Sequence, residues 1–86
     1  MKIKETNSFR KSYKALPAVT QKKAKKQFEL LLVNLFHPSL HTEKLEPKHN
    51  NIWSFRIDKS YRVIFTFQGN EIILLINIGP HDIYKK

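Results

Sequence analysis

The spacing of the hydrophobic residues changes from a helical to a strand-like repeat near the middle of the chain. In the N-terminal half they recur every three or four positions, as on one side of an α-helix. From residue 52 onward they alternate with polar residues, as in strands with one buried face. This order predicts an α+β fold in which a helical hairpin packs on an antiparallel meander sheet.

The first helix is predicted to follow a short edge strand at residues 2–5. The Thr-Asn-Ser run at residues 6–8 offers side chains that cap the free N–H groups of a helix. Phe9, Tyr13 and Leu16 then recur at i, i+4 and i+7, which places them on one side of the helix. We expect that side to face the core.

The second helix is predicted to run from Pro17 to Phe36. Proline is tolerated in the first turn of a helix, and the residue before Pro38 is pushed out of the helical region. The exposed side of this helix is expected to carry Lys22, Lys23, Lys25 and Lys26. Its buried side is expected to carry Ala24, Phe28, Leu31, Leu32 and Leu35.

Three strands are predicted after an irregular segment at residues 37–51. They cover residues 52–57, 61–68 and 71–78. A turn at residues 58–60 joins the first two strands, and Gly69-Asn70 forms a two-residue hairpin loop between the last two. Residues 79 and 80, Gly-Pro, are expected to close the sheet.

Pairing around these loops places Arg56 opposite Arg62, and Arg62 opposite Asn77. Strand alternation then sorts the side chains between the two faces of the sheet. The face that packs on the helices is expected to hold Trp53, Phe55, Ile57, Tyr61, Val63, Phe65, Phe67, Ile72, Leu74, Ile76 and Ile78. The open face, on the other side of the sheet, is expected to hold Ser54, Arg56, Arg62, Ile64, Thr66, Ile73, Leu75 and Asn77.

The two facing arginines indicate an anion site. Like charges directly opposite each other cost a few tenths to about 1 kcal/mol, and a bound phosphate would offset this cost because guanidinium groups match its oxygens. The alternative is an ordinary salt bridge between one arginine and Asp58, Glu43 or Glu46. The inference depends on the register, because a one-residue change in either loop would separate the pair.

His81 is a candidate acid or base at the same end of the sheet. The predicted register puts Ile78 beside Tyr61, so the residues that follow leave the sheet near Arg56 and Arg62. An imidazole in that position suits proton transfer near neutral pH. The alternative is a structural or simply exposed histidine.

The net charge of the chain indicates which kind of molecule it binds. Lysine and arginine number 16 against 7 acidic residues, which gives +9 at neutral pH. Such an excess favours polyanions, and nucleic acid ranks ahead of a membrane surface or an acidic protein. The alternative is that the lysines form a solvated surface that keeps a small protein soluble.

The sequence gives no sign of a cofactor, a metal site or a membrane anchor. The chain has no cysteine, which rules out disulfides and thiolate zinc sites and suits a reducing cytosol. No signal peptide and no run of ~18 apolar residues occurs. His37 and His41 have the spacing of metal ligands, but Pro38 between them breaks the helix that would align them. The 86 residues are expected to form one domain, 1–86.

Three segments resemble the RelE/ParE toxin superfamily, and they are closest to its YoeB-like and YafQ-like ribonuclease branches. They are Leu45 with Ile52-Trp53-Ser54-Phe55-Arg56-Ile57, Tyr61-Arg62-Val63-Ile64-Phe65, and Gly79-Pro80-His81-Asp82-Ile83-Tyr84. The resemblance covers nearly the whole chain. It implies helices on one sheet face and an open concave face for RNA.

The resemblance also implies an activity and partners. Toxins of this type are metal-independent endoribonucleases that cut mRNA, usually in the ribosomal A site, by attack of a 2′-hydroxyl on the adjacent phosphate. They use no cofactor and act in the cytoplasm, and an acidic antitoxin binds them. We expect the same partners here: an acidic cognate antitoxin, mRNA and the ribosome, with no membrane and no small-molecule ligand.

The resemblance assigns roles to individual residues. Arg62 matches the arginine that stabilises the phosphorane, and His81 matches the general acid for the 5′-oxygen. Tyr84 matches an aromatic residue that stacks on or orients the substrate, and Arg56 lies beside positions that are often basic. Glu43 falls where a YoeB-like glutamate base would lie, with Glu46 as its competitor.

The chain departs from the family pattern in one respect. The lysine-rich catalytic group of RelE is not matched, which leaves the identity of the base open. ParE-like relatives share the fold, lack the terminal histidine pattern and act on DNA gyrase. A gyrase-inhibiting toxin, or a basic nucleic-acid-binding module without chemistry, is therefore the alternative to a ribonuclease.

Overall fold

The computed structural model describes residues 2–45 and 51–80, which form two helices on one side of a five-stranded sheet. The predicted α+β class is confirmed, as are the edge strand, the helical hairpin and the meander. The elements are β1 Lys2–Glu5, α1 Asn7–Lys14, α2 Ala18–Val33, a 3₁₀ turn Pro38–Leu40, β2 Glu43–Lys44, β3 Trp53–Arg56, β4 Tyr61–Gln68 and β5 Ile72–Pro80.

The strands lie in the order β1-β5-β4-β3-β2. The three neighbouring pairs from β5 to β2 are antiparallel, whereas β1 runs parallel to β5 at the far edge. The hairpin of α1 and α2 follows β1 along the chain, before the meander begins. The prediction that residues 37–51 are irregular is wrong in part, because they contain the 3₁₀ turn and the short strand β2.

Helix α1 begins at a threonine that is bonded to the sheet as well as to the helix. The Thr6 hydroxyl accepts a bond from Phe9 N at 3.0 Å and donates one to the carbonyl of Ile76 at 2.8 Å. Phe9 is only 1% exposed, and Tyr13 and Leu16 pack against the same core. The predicted cap and the predicted buried side of α1 are therefore confirmed.

Helix α2 ends three residues earlier than predicted. Asn34 has extended backbone angles, and its side chain accepts a bond from Phe36 N at 3.0 Å, which turns the chain out of the helix. The prediction that Leu32 is buried is wrong, because it lies on the outer side of the helix and is 54% exposed. Thr20 and Gln27 take buried positions instead. No helix among residues 2–45 and 51–80 is long and apolar enough to cross a membrane.

The predicted pairing of β3 with β4 is confirmed, with Arg56 opposite Arg62. The predicted pairing of β4 with β5 is wrong by up to two positions. The loop holds three residues instead of two, so Gln68 pairs with Ile72, and a β-bulge at Ile64/Phe65 shifts the register once more. Arg62 therefore lies opposite Gly79, not Asn77.

The longer loop also reverses the faces predicted for the first half of β5. Ile73 and Leu75 are fully buried in the core, whereas Ile72 and Leu74 lie on the open face with Lys2 and Lys4 of β1. A one-residue change in a hairpin loop moves every side chain beyond it to the other face. After the bulge the alternation returns to the predicted phase. Ile78 is buried in the core as predicted, and it pairs with Val63, whereas Tyr61 pairs with Pro80.

Aromatic rings fill the space between the helices and the sheet. Phe55 and Phe65 are fully buried on neighbouring strands, with ring centroids 5.7 Å apart, and Phe28 of α2 meets Phe55 edge to face at 6.2 Å. Edge-to-face contacts of this kind add to the stabilisation that comes from area burial alone. This core fixes β3 and β4, the two strands that carry the arginines.

Candidate functional site

The side chains of Arg56 and Arg62 lie side by side on the open face. They are direct cross-strand partners at the end of β3 and the beginning of β4. The next pair, Ile57 and Tyr61, is joined by a backbone hydrogen bond of 3.0 Å. Hydrogen-bonded and non-hydrogen-bonded pairs alternate along antiparallel strands, so Arg56 and Arg62 form a non-hydrogen-bonded pair. We call it the narrow pair, because the Cα atoms of such a pair are only about 4.5 Å apart.

Both guanidinium groups keep unused hydrogen-bonding capacity. The Nε atoms of Arg56 and Arg62 are buried and have no hydrogen-bond partner among the described residues. The Arg62 side chain is only 14% exposed. A buried charged donor without a partner is costly, and two like charges in one narrow pair add to the cost. An anion beside both guanidinium groups would offset the repulsion between the two charges.

Glu43 provides the one carboxylate near these arginines within the described residues. Strand β2 places it opposite Ser54, and its Oε1 lies 3.8 Å from Nη1 of Arg62. This distance allows an ion pair but is too long for a hydrogen bond. Since Glu43 is 55% exposed, the pair is largely screened by solvent. Glu43 thus lies beside Arg62 without using its hydrogen-bond donors.

Asp58 does not pair with either arginine in the structure. Its Oδ1 accepts bonds from the N–H groups of Ser60 and Tyr61 at 2.8 and 2.9 Å, and its Oδ2 lies 3.3 Å from Nζ of Lys23. Burial alone would raise the pKa of Asp58. The two backbone bonds and the Lys23 ammonium outweigh burial, and they hold the pKa below its ordinary value. Asp58 therefore stabilises the turn that sets the arginine pair in register.

Helix α2 holds the strand that carries Arg56 through one buried side chain. Nε2 of Gln27 donates to the Arg56 carbonyl at 2.9 Å and to the Ser39 carbonyl at 3.2 Å. These bonds tie α2, the 3₁₀ turn and the end of β3 together. Gln27 was not predicted from the sequence, although a glutamine between the buried positions Ala24 and Leu31 is a signal for a buried polar contact.

The open face is uneven in its exposure. Ser54 is fully buried, and Ile64, which lies opposite it, is 7% exposed, whereas Lys2 and Lys4 at the other edge are exposed. The Ser54 hydroxyl has no hydrogen-bond partner in the described part of the chain. The centre of the open face, next to Arg56 and Glu43, is therefore closed to solvent.

Three predicted site residues lie outside the described residues. They are His81, Tyr84 and Glu46. The end of β5 is described, and Gly79 and Pro80 pair with Arg62 and Tyr61. The prediction that the chain leaves the sheet after Ile78 is therefore wrong, because the three-residue loop and the bulge shift the register of β5 by two residues. Gly79 still lies opposite Arg62, two residues before His81. The roles of His81, Tyr84 and Glu46 stay predictions.

His37 and His41, which have the spacing of metal ligands, lie at the two ends of the 3₁₀ turn. Nδ1 of His37 caps the 3₁₀ turn, because it accepts a bond from Ser39 N at 3.2 Å. His41 ends the same turn with a left-handed φ of 47°. Within residues 2–45 and 51–80, no three acidic or histidine side chains form a group that could hold a metal ion.

Solved structures of toxins share this fold. A YoeB/ParE toxin from Agrobacterium tumefaciens superposes with a TM-score of 0.78 at 21% identity, over 94% of this chain and 99% of that one. The RelB-RelE antitoxin-toxin complex from Methanococcus jannaschii contains a chain that superposes with a TM-score of 0.75 at 19% identity, over 92% of this chain and 91% of that one. At these identities the likeness establishes the fold.

Sequence comparison gives the family. An uncharacterized protein from Haemophilus influenzae is 46% identical over 45 residues, which are 52% of this chain and 44% of that protein, so the chain matches less than half of its length. A family model described as a RelE-like toxin of type II toxin-antitoxin system HigB matches residues 11–81. The predicted RelE/ParE superfamily is confirmed, and the chain belongs to the RelE-like toxins of type II toxin–antitoxin systems.

Proposed function

We propose that the chain is a metal-independent endoribonuclease toxin that cleaves mRNA on the open face of its sheet. The observation that carries the proposal is the narrow pair of Arg56 and Arg62, whose Nε groups have no partner among the described residues. A phosphodiester is the anion that this family would bring there. Two guanidinium groups can contact its non-bridging oxygens from one side.

In the proposed reaction, the RNA supplies its own nucleophile. The 2′-hydroxyl attacks the adjacent phosphorus, the 5′-oxygen of the next nucleotide leaves, and the products carry a 2′,3′-cyclic phosphate and a 5′-hydroxyl. Glu43, 3.8 Å from Arg62, takes the proton of the 2′-hydroxyl in this scheme. His81 gives a proton to the leaving oxygen, and Tyr84 orients a base, as the family resemblance implies.

The arginines act mainly on the transition state. Negative charge on the non-bridging oxygens grows as the pentacoordinate phosphorane forms, so fixed positive groups stabilise it more than the substrate. Arg62 is the stronger candidate for this role, because its side chain is only 14% exposed and its charge is therefore held in a fixed position. Arg56, on the neighbouring strand, positions the same phosphate.

The proposed partners follow from charge and family. A net charge of +9 favours RNA and an acidic antitoxin, and the ribosome in the cytoplasm would supply the mRNA. The Methanococcus jannaschii relative was solved as an antitoxin–toxin complex, which supports a protein partner for this chain.

Substitution of Arg62 tests the proposal. Wild type, Arg62→Ala and Arg62→Lys are expressed in bacteria from a tightly controlled promoter, and cuts in cellular mRNA are mapped by primer extension. We expect wild type to arrest growth and cut mRNA, and Arg62→Ala to cut on the order of 10²–10³ times more slowly. Arg62→Lys retains a charge without the forked donors, so we expect an intermediate rate.

Arg10→Ala is the matched control. Arg10 lies on α1, where it pairs with Glu5 at 3.3 Å and is 60% exposed, so its loss should leave cleavage unchanged. Equal cutting by Arg62→Ala and wild type would exclude the assigned site. DNA breakage without RNA cuts would replace the proposal by the gyrase-inhibiting alternative.

A further inference from the structure

The outer side of α2 carries apolar side chains that nothing in the described structure covers. Leu32 is 54% exposed and Val33 85% exposed, near the end of the helix, and Val19 is 65% exposed near its start. Phe36, just beyond the helix, is 61% exposed. Clustered exposed apolar groups on a small protein mark an interaction surface more often than isolated ones do.

These side chains are arranged as one strip along the helix. Val19, Lys26 and Val33 follow one another at seven-residue intervals, and Lys25 and Leu32 have the same spacing beside them. Seven residues are close to two helical turns, so each set lies nearly on a line parallel to the helix axis. A second helix that lies along α2 can contact such lines throughout its length.

The strip is basic in its first half. Lys22, Lys25 and Lys26 are exposed, and none forms an ion pair in the described structure. Lys23, on the side of the helix, is instead paired with Asp58. Glu29, the one acidic residue of α2, is exposed on the same strip, where its basic half meets its apolar half. A partner for this surface therefore needs carboxylates near the beginning of α2 and apolar groups near its end.

Phe36 extends the apolar end of the strip toward the sheet. Its ring meets Trp53 of β3 edge to face, with centroids 6.2 Å apart. Trp53 is partly buried and pairs with Lys44 of the edge strand β2. The contact holds Phe36 against the protein body, so its exposed face is a fixed part of the surface.

We propose that the outer strip of α2, defined by Val19, Lys22, Lys25, Lys26, Leu32, Val33 and Phe36, docks an acidic amphipathic helix of a protein partner. The apolar side of that helix covers Leu32, Val33 and Phe36, and its carboxylates pair with the three lysines. The strip lies on the opposite side of the sheet from Arg56 and Arg62, so the docked helix leaves the arginines accessible. The inference rests on the proposed acidic partner and not on the chemistry of Arg62.

A synthetic peptide provides the probe. The peptide is acetylated, carries a fluorophore and spans about three heptads, with leucine at positions a and d and glutamate at e and g. A control peptide has lysine in place of each glutamate. Fluorescence anisotropy with the purified full chain at low ionic strength should show saturable binding of the acidic peptide and none of the basic one.

Substitutions locate the bound peptide. Val33→Glu and Lys25→Glu should each weaken binding about tenfold or more, because one buries a charge against leucine and the other opposes glutamate. Lys4→Glu on β1 makes the same charge change as Lys25→Glu on the other side of the molecule, and it should leave binding within about twofold. All these positions are exposed, and circular dichroism should show that the variants fold.

Three results would overturn the inference. One is the absence of saturable binding, and another is equal weakening by Lys4→Glu and Lys25→Glu, which would mean that net charge alone attracts the peptide. The third is a dimer of the chain, detected by sedimentation, that Val33→Glu dissociates, because the strip would then join two copies. RNA cleavage by Val33→Glu should equal that of wild type, so loss of peptide binding and failure of the proposed function are separate outcomes.

Discussion

The carboxylate of Asp58 joins the turn between β3 and β4 to helix α2. One oxygen accepts two backbone N–H bonds within the turn, and the other meets the ammonium of Lys23. The turn has no spare length, because it must place Ile57 opposite Tyr61 and so Arg56 opposite Arg62. A single side chain thus contributes to the register on which the arginine pair depends.

Asp58→Asn should change the pH dependence of stability. The folded pKa of Asp58 lies below its ordinary value of 3.8, so its stabilising contribution is present above that pH and is lost as the pH falls through the folded value. The free energy of unfolding of wild type should therefore fall more steeply below about pH 4 than that of Asp58→Asn. The asparagine oxygen can still accept both turn bonds, whereas the charge and the bond from Lys23 are lost. Urea unfolding at several pH values measures both slopes, and parallel curves would contradict this account.

At the residue scale, the sequence predicted the arginine pair and its neighbours well. The turn at Asp58 fixes the pairing of β3 with β4 within a few residues, so local chemistry was sufficient. The prediction failed for the residue opposite Arg62 in the sheet. Gly69-Asn70 fits a two-residue loop as well as the three-residue loop that forms. Gln27 was missed because its partners are carbonyl groups distant in sequence.

At the scale of the elements, two glutamines of α2 do similar work at different places. Gln21 donates to the carbonyls of Tyr13 and Leu16 at 3.0 and 3.2 Å and so closes the corner between α1 and α2. Gln27 donates to the carbonyls of Ser39 and Arg56 and so joins α2 to the sheet. Each replaces backbone bonds that the chain cannot make at a junction between elements.

Replacing each glutamine by leucine tests whether it only stabilises the fold or also positions Arg56. Gln27→Leu and Gln21→Leu should both lower the free energy of unfolding by about 1–3 kcal/mol, because each removes a side-chain donor from two carbonyl groups. Only Gln27→Leu should also reduce RNA cleavage under conditions where both variants are fully folded, because it releases the backbone of Arg56. Chemical denaturation gives the first quantity, and kcat and KM on an RNA oligonucleotide give the second. Equal cleavage by the two variants would show that Gln27 is only structural.

Hydrophobic periodicity identified most elements but placed one residue of α2, Leu32, on the wrong side. The helix is apolar on its inner side, at Ala24 and Leu31, and again on its outer side, at Leu32 and Val33. A period of 3.6 residues cannot tell which stripe faces the core when both are apolar. Tertiary packing decides which stripe is buried. In our proposal a partner molecule covers the outer stripe.

At the scale of the whole molecule, two groups of basic residues lie on opposite sides. Lys2 and Lys4 lie on the open face with Arg56 and Arg62, whereas Lys22, Lys25 and Lys26 lie on the outer side of α2. The sheet and the core separate the two groups. We infer that each side meets a different polyanion, RNA on the sheet and an acidic helix on α2.

Replacing a lysine by glutamate should affect RNA binding differently on the two sides of the molecule. Lys4→Glu should weaken binding of a 2′-O-methyl RNA oligonucleotide, which cannot be cleaved, and should reduce the salt dependence of its affinity, because one phosphate contact is lost. Lys25→Glu should change RNA affinity much less, which is the reverse of their effects on the acidic peptide. Anisotropy titrations over a range of KCl concentrations compare them. Equal effects of the two variants on RNA would show that only net charge matters.

The bulge in β5 divides the sheet into two panels, one beside β1 and one beside Arg62. Ile76 is the extra residue, because the strand pairs in one register before it and in another after it. Its carbonyl receives the Thr6 hydroxyl, so the start of α1 is attached where the panels meet. Without Ile76 every neighbouring side chain would keep its present face, but the strand would lose the added twist that a bulge brings. Ile76 therefore sets the angle between the panel beside β1, with its lysines, and the panel beside Arg62, and a chain shortened by this one residue should hold RNA along a straighter path.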